Sequence, residues 1–217
     1  MPKVPAQYLV ARKSEILDAA MSCFRRRGFH QTTMQDIYRE TGLSPGAVYR
    51  YFRSKEDIIN AAIDRYTAEL TRLIETARSL APSPGQAVEM LGRYMFARFQ
   101  APDFEEEARL DVETWPELLR NERLLAAIRR QMDTVRESFV EMFKQAQAEA
   151  HLGGPERLPP VDLYNLVSAV YQGLRLNVLL EPEAVDPQGV FQVLLQLLRR
   201  PEGAPAPASA ATVDEGG

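Results

Sequence analysis

Cysteine, histidine and tryptophan are scarce in this chain of 217 residues, with one, two and one copies respectively. The lone Cys23 cannot close an internal disulfide, so it is read as core filler beside Phe24 on an apolar helix face. His30 precedes Thr33 in a loop, and His151 stands next to glycines at the end of a helical stretch, so neither is paired with a buried nucleophile. No His-Glu spacing for a metal and no glycine-rich phosphate loop is present. We therefore expect no metal, no cofactor and no catalytic residue, and read the chain as no enzyme. No run approaches the ~18 uncharged apolar residues of a membrane span, and the N-terminal stretch lacks the apolar core of a signal peptide. A cytoplasmic protein with no membrane contact is the expectation. Strand-like alternation is missing too, which leaves an all-α fold.

What is present is ordinary in bulk and uneven in distribution. With 45% apolar and 26% charged residues, the chain has ample material for a core. The net charge of -4 hides a basic N-terminal part: residues 1–60 carry ten Lys or Arg against six Asp or Glu, and the remainder is acidic. That division suits a nucleic-acid reader with a separate control domain.

The most informative stretch runs from Thr33 to Lys55. Thr33 can cap a helix opening with Met34, Gln35 and Asp36, and Ser44 can cap a second, with Pro45 at its first position. Gly42 suits the left-handed position just past the first of these, and Leu43 can pack on Val48 to fix the entry into the next. The result is a helix-turn-helix. Val48 and Phe52, four apart, share a face toward the core, which turns Tyr49 and Arg50 elsewhere. A first turn of Ser44, Pro45, Gly46 and Ala47 carries little bulk and can come close to a phosphate. Tyr49 offers a hydroxyl, Arg50 a fork for a guanine edge or a phosphate, and Lys55 a point charge.

Gly28-Phe29, Thr32-Thr33, Ile37, Gly42-Leu43-Ser44, Gly46, Val48-Tyr49, Tyr51-Phe52 and Lys55 resemble, in order and spacing, the DNA-binding domain of the TetR family of bacterial transcriptional regulators. The resemblance adds Thr32, Thr33 and Tyr51 to the DNA-contacting set of Ser44, Pro45, Gly46, Tyr49, Arg50 and Lys55. It implies a homodimer on a palindromic DNA operator, with repression relieved by a small-molecule effector. The chain departs from the pattern at Tyr38, where alanine is usual, and that change is expected to alter packing between the first helices more than DNA contact. From Arg109 to about Leu198, scattered positions also resemble the regulatory domain of the BetI type: Trp115 in a proline-broken helix, Asn121, Tyr171-Gln172-Gly173-Leu174 and a leucine-rich end.

Taken in order, residues 1–11 read as a loose arm, and a first helix runs from Arg12 to Arg27 with Ile16, Ala20, Cys23 and Phe24 inward. Arg25, Arg26 and Arg27 complement its C-terminal dipole. Ser54 and Asp57 open a long helix that ends near Pro82 and forms a lever between two domains. Helices follow over about 85–100, over 103–121 with a break near Trp115-Pro116, and over 122–150. A loop runs from His151 to Pro160. The final two, Val161–Leu180 and Pro187–Leu198 capped by Asp186, are apolar on so many sides that a second copy is needed to cover them. Ala169 and Gly173 would permit close approach. Three regions result: 1–55 for DNA, 56–200 for effector and dimer, and a disordered tail over 201–217 poor in large apolar groups.

By the same resemblance the effector lies among the C-terminal helices. Tyr94, Phe99, Trp115, Phe139, Tyr171, Arg175 and Asn177 are its candidates, being aromatic or polar ends within apolar segments. Arg175 suits an anionic group and Trp115 near acids an organic cation. The acidic run Glu105, Glu106, Glu107, Asp111 and Glu113 reads as a solvated face. An alternative keeps the fold and replaces the effector with a protein partner, making the chain a DNA-bound adaptor.

Overall fold

A computed structural model describes residues 5–148 and 158–198 of the chain, and these are helical throughout with no strand. The first helix, α1, spans Ala6–Arg27. It starts six residues before the expected Arg12, because residues 6–11 are continuous with the pattern that follows. Arg12 bonds the Tyr8 hydroxyl at 3.1 Å and Glu15 at 2.6 Å, so one side-chain ladder holds the first turns together across the expected boundary.

The next two helices are short. In α2, Met34–Thr41, Thr33 and Asp36 form a reciprocal capping box, and Gly42 ends the helix at φ 66°, a left-handed conformation that favours glycine. In α3, Pro45–Tyr49, the Ser44 hydroxyl accepts from the Ala47 amide. The long helix α4 spans Lys55–Leu80, with the Ser54 hydroxyl accepting from Asp57 N. Ile16, Phe24, Ile37, Val48, Phe52 and Ile58 close one core.

Beyond α4 come α5 (Pro84–Ala97), a 3-10 turn over Arg98–Gln100, α6 (Phe104–Arg120) and α7 (Glu122–Ala148). The Asn121 side chain caps α7, accepting from Leu124 N at 3.1 Å. The expected break at Trp115-Pro116 does not occur, and α6 continues through Pro116. Proline removes the bond from residue 116 to the Val112 carbonyl. Val112 is exposed, so solvent can replace that donor.

The last two described helices, α8 (Pro160–Leu180) and α9 (Pro187–Leu198), match the expected spans within a residue. Asp186 accepts from Gln188 N at 3.0 Å, starting α9. The second core joins Ile74, Leu91, Phe96, Phe139, Leu163 and Phe191. The first core crosses the expected border at residue 55, since Ile58, Ile59 and Ala61 of α4, Leu110 of α6 and Leu124 of α7 all pack with the N-terminal helices. The loop over His151–Pro155 and the tail over 201–217 lie outside the described residues, as do residues 1–4 of the arm.

Helices α5 and α9 approach closely at Gly92, where an added methyl would stand 2.6 Å from Phe191 Cε2. Phe191 is pinned in turn, stacked on Phe96 with ring centroids 4.7 Å apart. Gly92→Ala is therefore expected to cost about 1–3 kcal/mol of stability through overpacking, read as a lower urea midpoint; an unchanged midpoint would mean that the ring can step aside.

Candidate functional site

The surface around α3 keeps the division read from the sequence. Val48 and Phe52 are fully buried, whereas Ser44, Pro45, Gly46, Tyr49 and Arg50 are exposed. Gly46 has nothing within 4 Å of where a methyl would stand, so the first turn presents bare backbone. Among the described residues Arg50, at the end of α3, makes no ion pair. Arg26 and Arg27 are paired, Arg26 with Glu40 at 2.7 Å and Arg27 with Asp36. Both of these arginines are thus spent in fastening α2.

Three expected DNA-contacting side chains have other commitments. Thr32 is fully buried, with its hydroxyl bonded to the Gly28 carbonyl at 2.8 Å. That burial removes its side chain from the contact surface. Thr33 is exposed, but its hydroxyl donates to Asp36 at 2.7 Å and accepts from the Asp36 amide. The Lys55 ammonium reaches the Phe29 carbonyl at 2.8 Å and the His30 carbonyl at 3.5 Å, and sits 4.5 Å from the centre of the Phe29 ring. Two of its three N–H groups are thereby engaged, and its first task is to hold the loop before α2 onto the start of α4. Tyr51 is half-buried against the N-terminal core.

Tyr38 has a reach that its sequence position did not disclose. It is 9% exposed, and its ring lies 5.6 Å from that of Tyr49, tilted by 57°. Its substitution for the usual small residue therefore touches the recognition helix as well as the packing beneath it.

A second feature is a cavity of about 460 Å³ bounded by α1, α4, α6, α7 and α8. Of the expected effector residues, Trp115, Phe139, Tyr171 and Arg175 line it, and Tyr94, Phe99 and Asn177 do not. Tyr94 and Asn177 are exposed, and Phe99 is packed against Tyr171 and Phe104. Sequence reasoning missed Met21, Arg25, Tyr66, Asp111 and Thr114, all of which line the wall. Asp111, Thr114, Trp115 and Leu118 follow helical spacing along α6, and that stripe was the available signal.

Several charges on this wall are paired, one with another wall residue and two with residues outside it. Arg175 pairs with Asp111 and lies over the Phe104 ring, 5.4 Å from its centre, so it is no free anion clamp. Glu107 is bonded to Arg98 at 2.8 Å, and Arg65 to Asp18. Burial raises the Asp111 carboxyl above its usual range even though Arg175 opposes the shift, and burial pushes the Tyr66 phenol up to about 12. Among the described residues no group of three or more His, Cys, Asp or Glu is placed to hold a metal ion, and no helix is long and apolar enough to cross a membrane.

Residues 16–62 match the model of bacterial regulatory proteins of the tetR family, and residues 87–201, more than half of the chain, match the C-terminal domain of BetI-type transcriptional repressors. The chain belongs to the TetR family. It is thus a DNA-binding transcriptional regulator in a family of regulators rather than enzymes. Among curated relatives, this TetR-family chain is 33% identical over 112 residues to the HTH-type transcriptional repressor Rv1474c of Mycobacterium tuberculosis, covering 48% of this chain and 60% of that one. It is 27% identical over 178 residues to the regulator UidR of Escherichia coli K12, covering 80% and 83%. A shorter match, 44% identical over 63 residues, spans 29% of this chain and 31% of YfiR of Bacillus subtilis. The fold is shared with the fatty acid degradation regulator FadR of Bacillus halodurans, at a TM-score of 0.72 and 17% identity over 91% of this chain and 96% of that one.

The capping box supplies a test of how α2 is held. Thr33 hydrogen bonds, with help from Arg27, bring the Asp36 carboxyl from 3.8 down to about 2. A depressed carboxyl stabilises the fold above its unfolded value and loses that effect as pH falls toward the folded one. The stability advantage of the wild type over Asp36→Asn is therefore expected to be constant above pH ~4 and to shrink between pH ~4 and ~2. Chemical denaturation of both proteins across that range checks it; a gap independent of pH would show that the charge is not what holds the cap.

Proposed function

We propose that the chain is a homodimeric repressor that occupies a palindromic operator and leaves it when a small lipophilic effector enters the cavity. The observation that carries this reading is the position of the cavity. Met21 and Arg25 of α1 line the same space as Tyr171 and Arg175 of α8, so an occupant touches the DNA-binding unit and the regulatory helices at once. A ligand that prefers one relative placement of these elements shifts the population toward it. The volume falls within the range of small-molecule sites, which counts against the protein-partner alternative.

Relatives of the same fold accept unlike ligands. A FadR of Bacillus subtilis was solved with stearoyl-CoA, at a TM-score of 0.69 and 15% identity over 86% of this chain, and a regulator of Saccharomonospora viridis with choline, at a TM-score of 0.69 and 21% identity. In the present chain the wall carries three arginines and three carboxylates, Glu69, Glu107 and Asp111, so its formal charges balance, while aromatic and aliphatic side chains make up most of the rest. Lipophilicity is accordingly the property that the wall selects.

The dimer is supported by apolar surface without internal cover. On α8, Val161, Leu166 and Leu180 are exposed, and on α9 so are Val193 and Leu197; Leu180 and Leu197 reach 68% and 67%. Ala169 and Gly173 lie exposed on α8 between them. A second copy of the pair would cover this surface as a four-helix bundle, and would place two recognition helices on half-sites about 34–36 Å apart.

Two experiments test the reading. Trp115, the only tryptophan, stands on the cavity wall, so its emission should change on titration with the effector at the same concentrations that lower the anisotropy of a labelled operator duplex. Loss of DNA binding with no change at Trp115 would move the effector out of the cavity. In sedimentation, the wild type is expected as a dimer and Leu180→Glu with Leu197→Glu as a folded monomer with weaker operator binding; a dimer that survives both charges would place the interface elsewhere.

A further inference from the structure

We propose that Tyr38 is a positioning residue for DNA recognition, its ring serving as the shelf that holds Tyr49 of α3 facing outward. The proposal rests on the reading that Tyr49 contacts the operator, and it adds a residue of α2 that makes no contact with DNA itself.

Tyr49 is placed where it needs such support. It is the last residue of a five-residue helix, and the residue is 47% exposed. A half-exposed tyrosine at the end of so short a helix has several rotamers open to it, and each contact with DNA would have to overcome the loss of that freedom. The Tyr38 ring removes much of it beforehand. Tyr38 stands beside Ile37 in the N-terminal core, and the ring separation of 5.6 Å with a 57° tilt lies within the range where aromatic pairs attract. Alanine at position 38 would be too short to make this contact.

The Tyr38 hydroxyl points to the ring as the useful part. That oxygen is buried with no hydrogen bond formed among the described residues, and the nearby Tyr49 phenol acts with burial in raising its proton affinity. Burial pushes the Tyr38 phenol up to about 12, so it remains neutral. An unpaired buried hydroxyl works against the fold, whereas the ring both fills the core and supports Tyr49.

The test compares wild type, Tyr38→Phe, Tyr38→Ala, Tyr49→Ala and the Tyr38→Ala/Tyr49→Ala pair, by anisotropy on a duplex recovered through random-site selection with the wild-type dimer. Tyr38→Phe should keep wild-type affinity within about twofold and unfold at a higher temperature, because it loses only the unpaired hydroxyl. Tyr38→Ala and Tyr49→Ala should each weaken binding about fivefold. The double variant should be no weaker than Tyr49→Ala alone, since the shelf has nothing left to hold. Should Tyr38→Ala fail to fold, Tyr38→Leu fills the space near the backbone without an aromatic face and takes its place. Losses that multiply in the double variant, wild-type affinity in Tyr38→Ala, or equal losses in Tyr38→Phe and Tyr38→Ala would each overturn the proposal. The ring is also read without DNA, by NMR of tyrosine-labelled protein with Tyr49 assigned through Tyr49→Phe. Tyr49 should be ordered in wild type and Tyr38→Phe and rotamer-averaged in Tyr38→Ala, and equal order in all three would overturn the shelf. If selection with wild type returned no preferred duplex, the operator reading would fail, while the NMR comparison would still decide the contact between the rings.

Discussion

Helix α4 belongs to two cores at once, and the rest of the molecule depends on that fact. Its first two turns give Ile58, Ile59 and Ala61 to the packing around α1, α2 and α3, and its far half gives Ile74 and Ala77 to the packing around α5, α7 and α9. A rod buried at both ends cannot move at one without disturbing the other. The Lys55 contact with the Phe29 carbonyl and ring fixes its near end to the loop that launches α2. The cavity wall includes Ile59, Ile63, Tyr66 and Leu70 of the same helix, so the space for a ligand opens alongside the stretch that joins the cores.

Helix α6 makes a second connection of this kind. Asp111, Thr114 and Trp115 look into the cavity, and Leu110, one residue from Asp111, is buried in the N-terminal core. The Arg175–Asp111 pair ties the cavity face of α6 to α8, where the exposed apolar surface of the proposed dimer begins. Cavity, DNA-binding unit and proposed subunit contact are thereby linked by one turn of helix.

Much of the architecture was legible because it is written in local chemistry. Thr33, Ser44, Ser54 and Asp186 announce helix starts through side chains that accept backbone amides, and Gly42 announces a stop through its left-handed φ. Each of these signals acts within about four residues, so reading the chain in order suffices. What was illegible depends on contacts distant in sequence. Nothing around Lys55 says that its ammonium will be taken by a carbonyl 26 positions earlier, or around Tyr38 that its ring will meet Tyr49. Asp111 was hidden by its neighbours, since Glu105 and Glu106 are exposed and an acidic run reads as one face until the helical phase separates its members. The start of α1 failed for another reason: Pro5 precedes it without a side-chain cap, so no local signal marked it.

The pairing of Arg26 with Glu40 and of Arg27 with Asp36 bears on how this surface would meet a polyanion. Binding through free cations releases a counterion for each phosphate neutralised and makes affinity fall steeply with salt. Here the formal positive charge of the N-terminal region overstates what is available, for Lys55 is turned to carbonyls and Arg25 to the cavity, while Arg50 and Arg53, just past α3, have no ion pair among the described residues. Much of the basic charge is mortar between helices. Recognition by such a face would lean on fit, on uncharged hydroxyls and on bare backbone near α3, and these keep their value in a cell where ionic strength rises and falls.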